Sequence, residues 1–147
     1  MRGLSKLVGM SIMRSGECME KSLRSIVRSC RMGKLLIKKR EEAAETTAAP
    51  AEGCYDLQFC KLPTDLTDRH VLLLDPMVAT GGTAMTAIQA LIDRGAQESK
   101  ITFLNLISFR GGIERLIERF PKVGAPPWHL QLHIFLRGSL AVCTVDR

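Results

Sequence analysis

Apolar positions along the chain fall into short runs separated by polar turns, and their period changes from one run to the next. Val8 to Met13 is an apolar run broken by Arg14-Ser15-Gly16, after which Met19, Leu23, Ile26, Val27 and Cys30 recur at helical spacing. This predicts a strand, a loop and an amphipathic helix, with Gly33 as the helix stop and Lys34 to Ile37 as the next strand, one β-α-β unit. Residues 38 to 54 (KKREEAAETTAAPAEGC) have no apolar period and predict a mobile surface loop.

Tyr55 to Cys60 alternates as a short strand, and KLPTDLTDR turns the chain into the continuous apolar run from His70 to Asp75, the pattern of a strand buried on both faces. A loop from Pro76 to Gly82 precedes a helix with Met85, Ile88, Leu91 and Ile92 on one side and Gly95 as its stop. Ile101 to Ile107 predicts another buried strand, and Ile113, Leu116, Ile117 and Phe120 a further helix. Strands alternating with helices imply an α/β fold, a mainly parallel sheet with flanking helices on both faces. From Gly124 onward the character changes, and alternation at Leu130, Leu132 and Ile134 before Arg137-Gly138-Ser139 suggests a terminal hairpin.

Composition narrows the function classes. The 147 residues are 46% hydrophobic and 24% charged, enough for one buried core, and no apolar run reaches the roughly 20 residues of a spanning helix. A soluble, cytoplasmic protein with no membrane partner is expected. Five cysteines without C-x-x-C spacing suggest reduced thiols and no metal site. Residues 1 to 40 hold eleven Lys and Arg against Glu17 and Glu20, a local charge of +9, while the rest carries ten basic and thirteen acidic residues. Such a segment attracts phosphate. Aromatics are 5% of the chain and absent before Tyr55, so nucleic acid is the weaker expectation and a small phosphorylated ligand the stronger.

The most informative stretch is HVLLLDPMVATGGTAMTAI, residues 70 to 88, where a buried strand delivers Asp75 at its carboxyl end and a Gly-rich turn opens a helix. Ligands of open α/β sheets bind at this edge. Amides of Ala79 to Ala84 at a helix start, with Gly81 and Gly82 lacking Cβ atoms that would block a close anion, suit a phosphate; Thr80 and Thr83 add hydroxyls. Asp75 is suited to accept from sugar hydroxyls. The Walker A and G-x-G-x-x-G patterns are absent, and Pro76 and Met77 after Asp75 supply no second carboxylate for a metal.

DPMVATGGT resembles the phosphoribosyl pyrophosphate loop of uracil phosphoribosyltransferases, in a variant with one Asp followed by Pro. GMSIMRSGECMEKSLRSIVRSCRMGKLLI (9 to 37), KLPTDLTDRHVLLLDPM, ITFLNLIS and GIERLIERFP follow the same family in order, over about residues 7 to 123, closer to the eukaryotic type and to the domain fused to uridine kinases. The resemblance implies a type I phosphoribosyltransferase-like fold over residues 1–123, truncated at both ends, and transfer of ribose 5-phosphate to N1 of uracil, giving UMP and pyrophosphate in pyrimidine salvage. It further implies Arg14 and Asp75 as catalytic residues. Arg14, Ser15 and Gly16 match the pyrophosphate turn, Asp75 the ribose carboxylate, and Pro76, Met77, Val78, Ala79, Thr80, Gly81, Gly82 and Thr83 the 5-phosphate loop. Mg²⁺ bound with phosphoribosyl pyrophosphate, GTP as a candidate allosteric activator, and homo-oligomerisation belong to the same implication.

The chain also departs from the pattern. Lys39 stands where the family has the Arg of a Gln-Arg pair, supplying charge without a bidentate fork. Residues 124–147 lack the family's Tyr-Ile-Ile-Pro-Gly and Gly-Asp-Arg-Tyr-Phe-Gly-Thr stretches, which hold uracil, so the expected site is a sugar-phosphate site without its base pocket. The alternative expectation is a non-catalytic module of the same fold that binds nucleotide or a partner subunit.

Overall fold

The computed structural model describes residues 6–40, 55–63 and 66–123. Residues 41–54 of the loop expected over 38–54, and the expected hairpin after Gly124, lie outside them. A five-stranded sheet forms the centre. In chain order it is built from β1 (Leu7–Met13), α1 (Glu17–Ile26), β2 (Arg31–Lys39), β3 (Tyr55–Lys61), β4 (His70–Leu74), α2 (Gly82–Ile92) and β6 (Ile101–Leu104). Two short strands, β5 (Met77–Val78) and β7 (Ile107–Ser108), pair beside it as a second sheet, and α3 (Arg110–Arg119) follows.

The strand order is β3-β2-β1-β4-β6, parallel throughout except for antiparallel β3. From β1 the chain crosses by α1 to β2 on one side, and from β4 by α2 to β6 on the other. The adjacent strands β1 and β4 therefore flank a topological switch point, and their carboxyl ends open a crevice between diverging connections.

Side chains alternate across a strand, so Val8, Met10, Ile12, Leu35, Val71, Leu73 and Ile101 all face one side. There they pack with Ala84, Ala87, Ile88 and Leu91 of α2 and Leu116 of α3 as one core. The alanines let α2 approach closely, a contribution the Met-Ile-Leu stripe alone does not reveal. On the other face lies α1, which has no fully buried residue and is tied down by polar contacts. Lys34 of β2 donates to Glu17 at 2.7 Å and lies 3.8 Å from Glu20, while Ser11 of β1 donates to Glu20 at 3.4 Å. The Lys34 ammonium holds the Glu17 carboxyl below the ordinary carboxylate range.

Several expected boundaries are corrected. The first helix stops at Ile26, and Gly33 lies inside β2. Val27 and Cys30 keep the apolar spacing because they bury in the turn after α1. Gly33 is required in the strand, since a Cβ there would meet the Met10 sulfur and the Lys61 carbonyl. Lys38 and Lys39 extend β2 instead of opening a loop, pairing with Asp56 and Tyr55. The loop from Pro76 to Gly82 contains β5, and the run from Ile101 to Ile107 breaks into β6 and β7 because Leu106 and Ile107 donate their amides to the Pro76 carbonyl. Only Ile101 of β6 is buried, as an edge strand lacks a neighbour on one side.

Candidate functional site

Two turns separated by about sixty residues in sequence meet at the switch point. After β1 the chain bends at Arg14-Ser15-Gly16; the Met13–Arg14 peptide bond is cis, and the Gly16 amide donates to the Ile12 carbonyl at 2.8 Å. Gly16 has an ordinary φ of −67°, so its need for glycine is one of space. A Cβ there would strike the Leu74 carbonyl oxygen, with the Ile12 nitrogen and oxygen each 2.9 Å away. The missing side chain lets the turn lie against the end of β4.

That approach joins the two turns chemically. The Ser15 hydroxyl donates to Asp75 Oδ1 at 2.9 Å. Asp75 is 6% exposed, and burial pushes its carboxyl above the ordinary range against the opposing hydrogen bonds from Ser15 and the Met77 amide. A desolvated carboxylate held by two donors is a fixed acceptor, able to take further hydroxyl donors at the crevice mouth. Arg14 is exposed in the same turn, the Cys18 thiol donates to the Ser15 carbonyl at 3.1 Å, and Glu17, held by Lys34, starts α1 immediately after the turn.

The Gly-rich turn is packed more closely than the sequence expectation had it. Met77 and Val78 belong to β5; the Met77 amide is committed to Asp75, the Met77 side chain is 57% exposed and Val78 is buried. The Met77 amide is thus engaged within the site, and the amides expected to suit a phosphate, Ala79 to Ala84, follow β5. Gly81 has a φ of +84°, the left-handed region that glycine favours, and a Cβ there would lie 2.7 Å from the Gly112 carbonyl oxygen. The open space expected over Gly82 is filled by the Tyr55 ring, which a Cβ at Gly82 would overlap. The Tyr55 hydroxyl lies 3.0 Å from Thr80 Oγ1. Thr83 is half-buried in the first turn of α2.

Three contributors were not legible from the motifs. Gly112, in the first turn of α3, has no room for a Cβ because the Ala79 carbonyl is there, so α3 backs the turn by close backbone contact. The Gly111-Gly112 pair, unfavourable inside a helix, was the available signal. Lys34 supports the start of α1, and Tyr55 covers the start of α2. Lys39 is exposed at the end of β2, a strand separated from β4 by β1, and its partner across the ladder is Tyr55. Among the described residues no three His, Cys, Asp or Glu side chains gather to hold a metal ion, and no helix is long and apolar enough to cross a membrane. The described cysteines Cys18, Cys30 and Cys60 are free thiols.

Comparison with known proteins places this geometry in context. The family model described as uracil phosphoribosyltransferase matches residues 1–126. A uracil phosphoribosyltransferase of Saccharomyces cerevisiae is 48% identical over 82% of this chain and 51% of its own length. A uridine kinase-like protein 3 of Arabidopsis thaliana is 42% identical over 80% of this chain and 23% of its own. The chain thus spans about half the length of the curated uracil phosphoribosyltransferases it matches. A purine phosphoribosyltransferase of Pyrococcus horikoshii superposes with a TM-score of 0.58 at 19% identity, over 73% of this chain and 64% of that one, a likeness of fold.

Proposed function

The chain belongs to the uracil phosphoribosyltransferase family, with a type I phosphoribosyltransferase fold, and from that premise we propose that the crevice between the ends of β1 and β4 binds phosphoribosyl pyrophosphate. The reaction it serves is transfer of ribose 5-phosphate to N1 of uracil, with UMP and pyrophosphate as products. The observation that carries the proposal is the Ser15–Asp75 hydrogen bond, which brings the two family motifs into one site at the switch point.

Each residue then has a physical task. Asp75 accepts from the ribose hydroxyls and fixes the sugar, while Ser15 keeps the carboxylate oriented. The Ala79 to Thr83 turn receives the 5-phosphate at the start of α2, where unpaired amides and the helix dipole favour an anion. Anchoring the sugar at both ends holds C1 in place for attack, an effect worth up to about 7–11 kcal/mol in well-oriented reactions. The Arg14 guanidinium offsets charge growing on the pyrophosphate oxygen as the C1–O bond breaks.

A magnesium ion would enter this crevice as a passenger on the substrate, with the buried Asp75 carboxylate holding the ribose hydroxyls beside it. Bound with pyrophosphate, Mg²⁺ would neutralise charge on the leaving group. Uracil as the base, GTP activation, homo-oligomeric assembly and a cytoplasmic location belong to the same proposal and rest on family membership alone.

The test pairs two ligands. Arg14→Ala is expected to weaken phosphoribosyl pyrophosphate about tenfold or more by calorimetry, the loss of one charge-assisted interaction, and ribose 5-phosphate far less, because only the former carries the group Arg14 would meet. Equal losses for both ligands contradict the role. In a parallel incubation with labelled uracil, phosphoribosyl pyrophosphate and Mg²⁺, UMP formation assigns the transfer to this chain. Binding without UMP assigns it the non-catalytic reading.

A further inference from the structure

The one tyrosine of the chain occupies a position that no motif marks. Tyr55 opens β3 directly opposite Lys39, and its side chain reaches the start of α2 because of an irregularity in the ladder. The register runs Leu36 to Phe59 and then Ile37 to Leu57, leaving Gln58 as an extra residue. One inserted residue flips every side chain beyond it to the other face of a strand. Without the bulge Tyr55 would face the α1 side; with it, Leu57 packs against the core and Tyr55 arrives over Gly82 with its hydroxyl 3.0 Å from Thr80 Oγ1.

Resting on the phosphoribosyl reading above, we propose that Tyr55 is a positioning residue for the phosphate monoester of the ligand, acting through Thr80. A phenol, with its pKa near 10, is a better donor than an aliphatic hydroxyl. In the Tyr55–Thr80 pair the phenol therefore donates and Thr80 Oγ1 accepts, which leaves the Thr80 proton for another acceptor. Thr80 lies in the turn that receives the phosphate, so that acceptor is a phosphate oxygen. The ring fixes the geometry by resting on Gly82, which admits it only because it has no Cβ. Tyr55 thereby sets both the place and the polarity of the Thr80 hydroxyl before ligand arrives.

The single tyrosine makes the test spectroscopic as well as thermodynamic. Chain carrying ring-¹³C tyrosine gives one tyrosine signal, to be followed during titration with ribose 5-phosphate while calorimetry records binding. The signal is expected to shift saturably as the phosphate settles nearby. Tyr55→Phe should weaken ribose 5-phosphate about tenfold, as should Thr80→Val, and the double variant should lose little more than either single one. A silent tyrosine signal in chain that binds ribose 5-phosphate, undiminished affinity in Tyr55→Phe, or strictly additive losses would overturn the role while leaving the site reading intact. Wild-type chain that binds no ribose 5-phosphate would overturn both.

Discussion

Gly16→Val should abolish sugar-phosphate binding and destabilise the chain by about 3 kcal/mol or more, the upper range of overpacking effects. The atoms that a side chain would meet are the Leu74 carbonyl and the Ile12 backbone, in the paired central strands β4 and β1. A side-chain tip can swing aside; two hydrogen-bonded strands cannot. Relief must come from lifting the Arg14-Ser15-Gly16 turn off the sheet, which parts Ser15 from Asp75. Urea unfolding and calorimetry with ribose 5-phosphate would read both losses. Gly111→Ala supplies the contrast, because nothing lies within 4 Å of a Cβ there, and it should stabilise α3 by up to about 1 kcal/mol. Comparable losses at the two glycines would refute the packing argument.

Asp75→Asn should weaken ribose 5-phosphate by about a hundredfold or more, since two charge-assisted hydrogen bonds of roughly 1.5–3 kcal/mol each become neutral ones. The same change should stabilise the ligand-free chain at neutral pH. Burial raises the folded carboxyl's pKa, so across the window from its unfolded to its folded value the folded state holds a proton the unfolded state has released. Stability then falls as pH rises through that window, and the deficit persists above it. Asn has no such fall. The advantage of Asp75→Asn should therefore vanish below the unfolded carboxyl's pKa, near 3.8, and grow as pH rises through the window above it. Thermal melts at the two extremes check the sign; a variant that is less stable at neutral pH yet binds normally would contradict both roles.

Much of the site was legible because its parts are local. The apolar run ending at Asp75, the turn at Arg14-Ser15-Gly16 and the Gly-rich start of α2 each declare themselves within a few residues, and the alternation of strand and helix places them at one sheet edge. What escaped depends on contacts between distant segments. The bulge at Gln58 leaves no mark in the pattern, so the approach of Tyr55 to Thr80 could not be foreseen. Gly33 resembles a helix stop until the Met10 sulfur and the Lys61 carbonyl are found occupying its Cβ position. Gly82 resembled an opening for an anion, whereas its bareness admits a ring. Likewise β5 and β7 are too short for a period of their own, and exist because each supplies the other's partner.

Amide chemical-shift mapping of the isotopically labelled chain with phosphoribosyl pyrophosphate and Mg²⁺ tests the central claim most directly. Saturable shifts are expected at the amides of Arg14 to Gly16, of Asp75 and of Ala79 to Thr83 together, with little change along the outer surface of α1 or at the end of α3. Absence of saturable shifts, or shifts gathered elsewhere while residues 14–16 and 79–83 stay silent, would contradict a phosphoribosyl pyrophosphate site at the junction of β1 and β4.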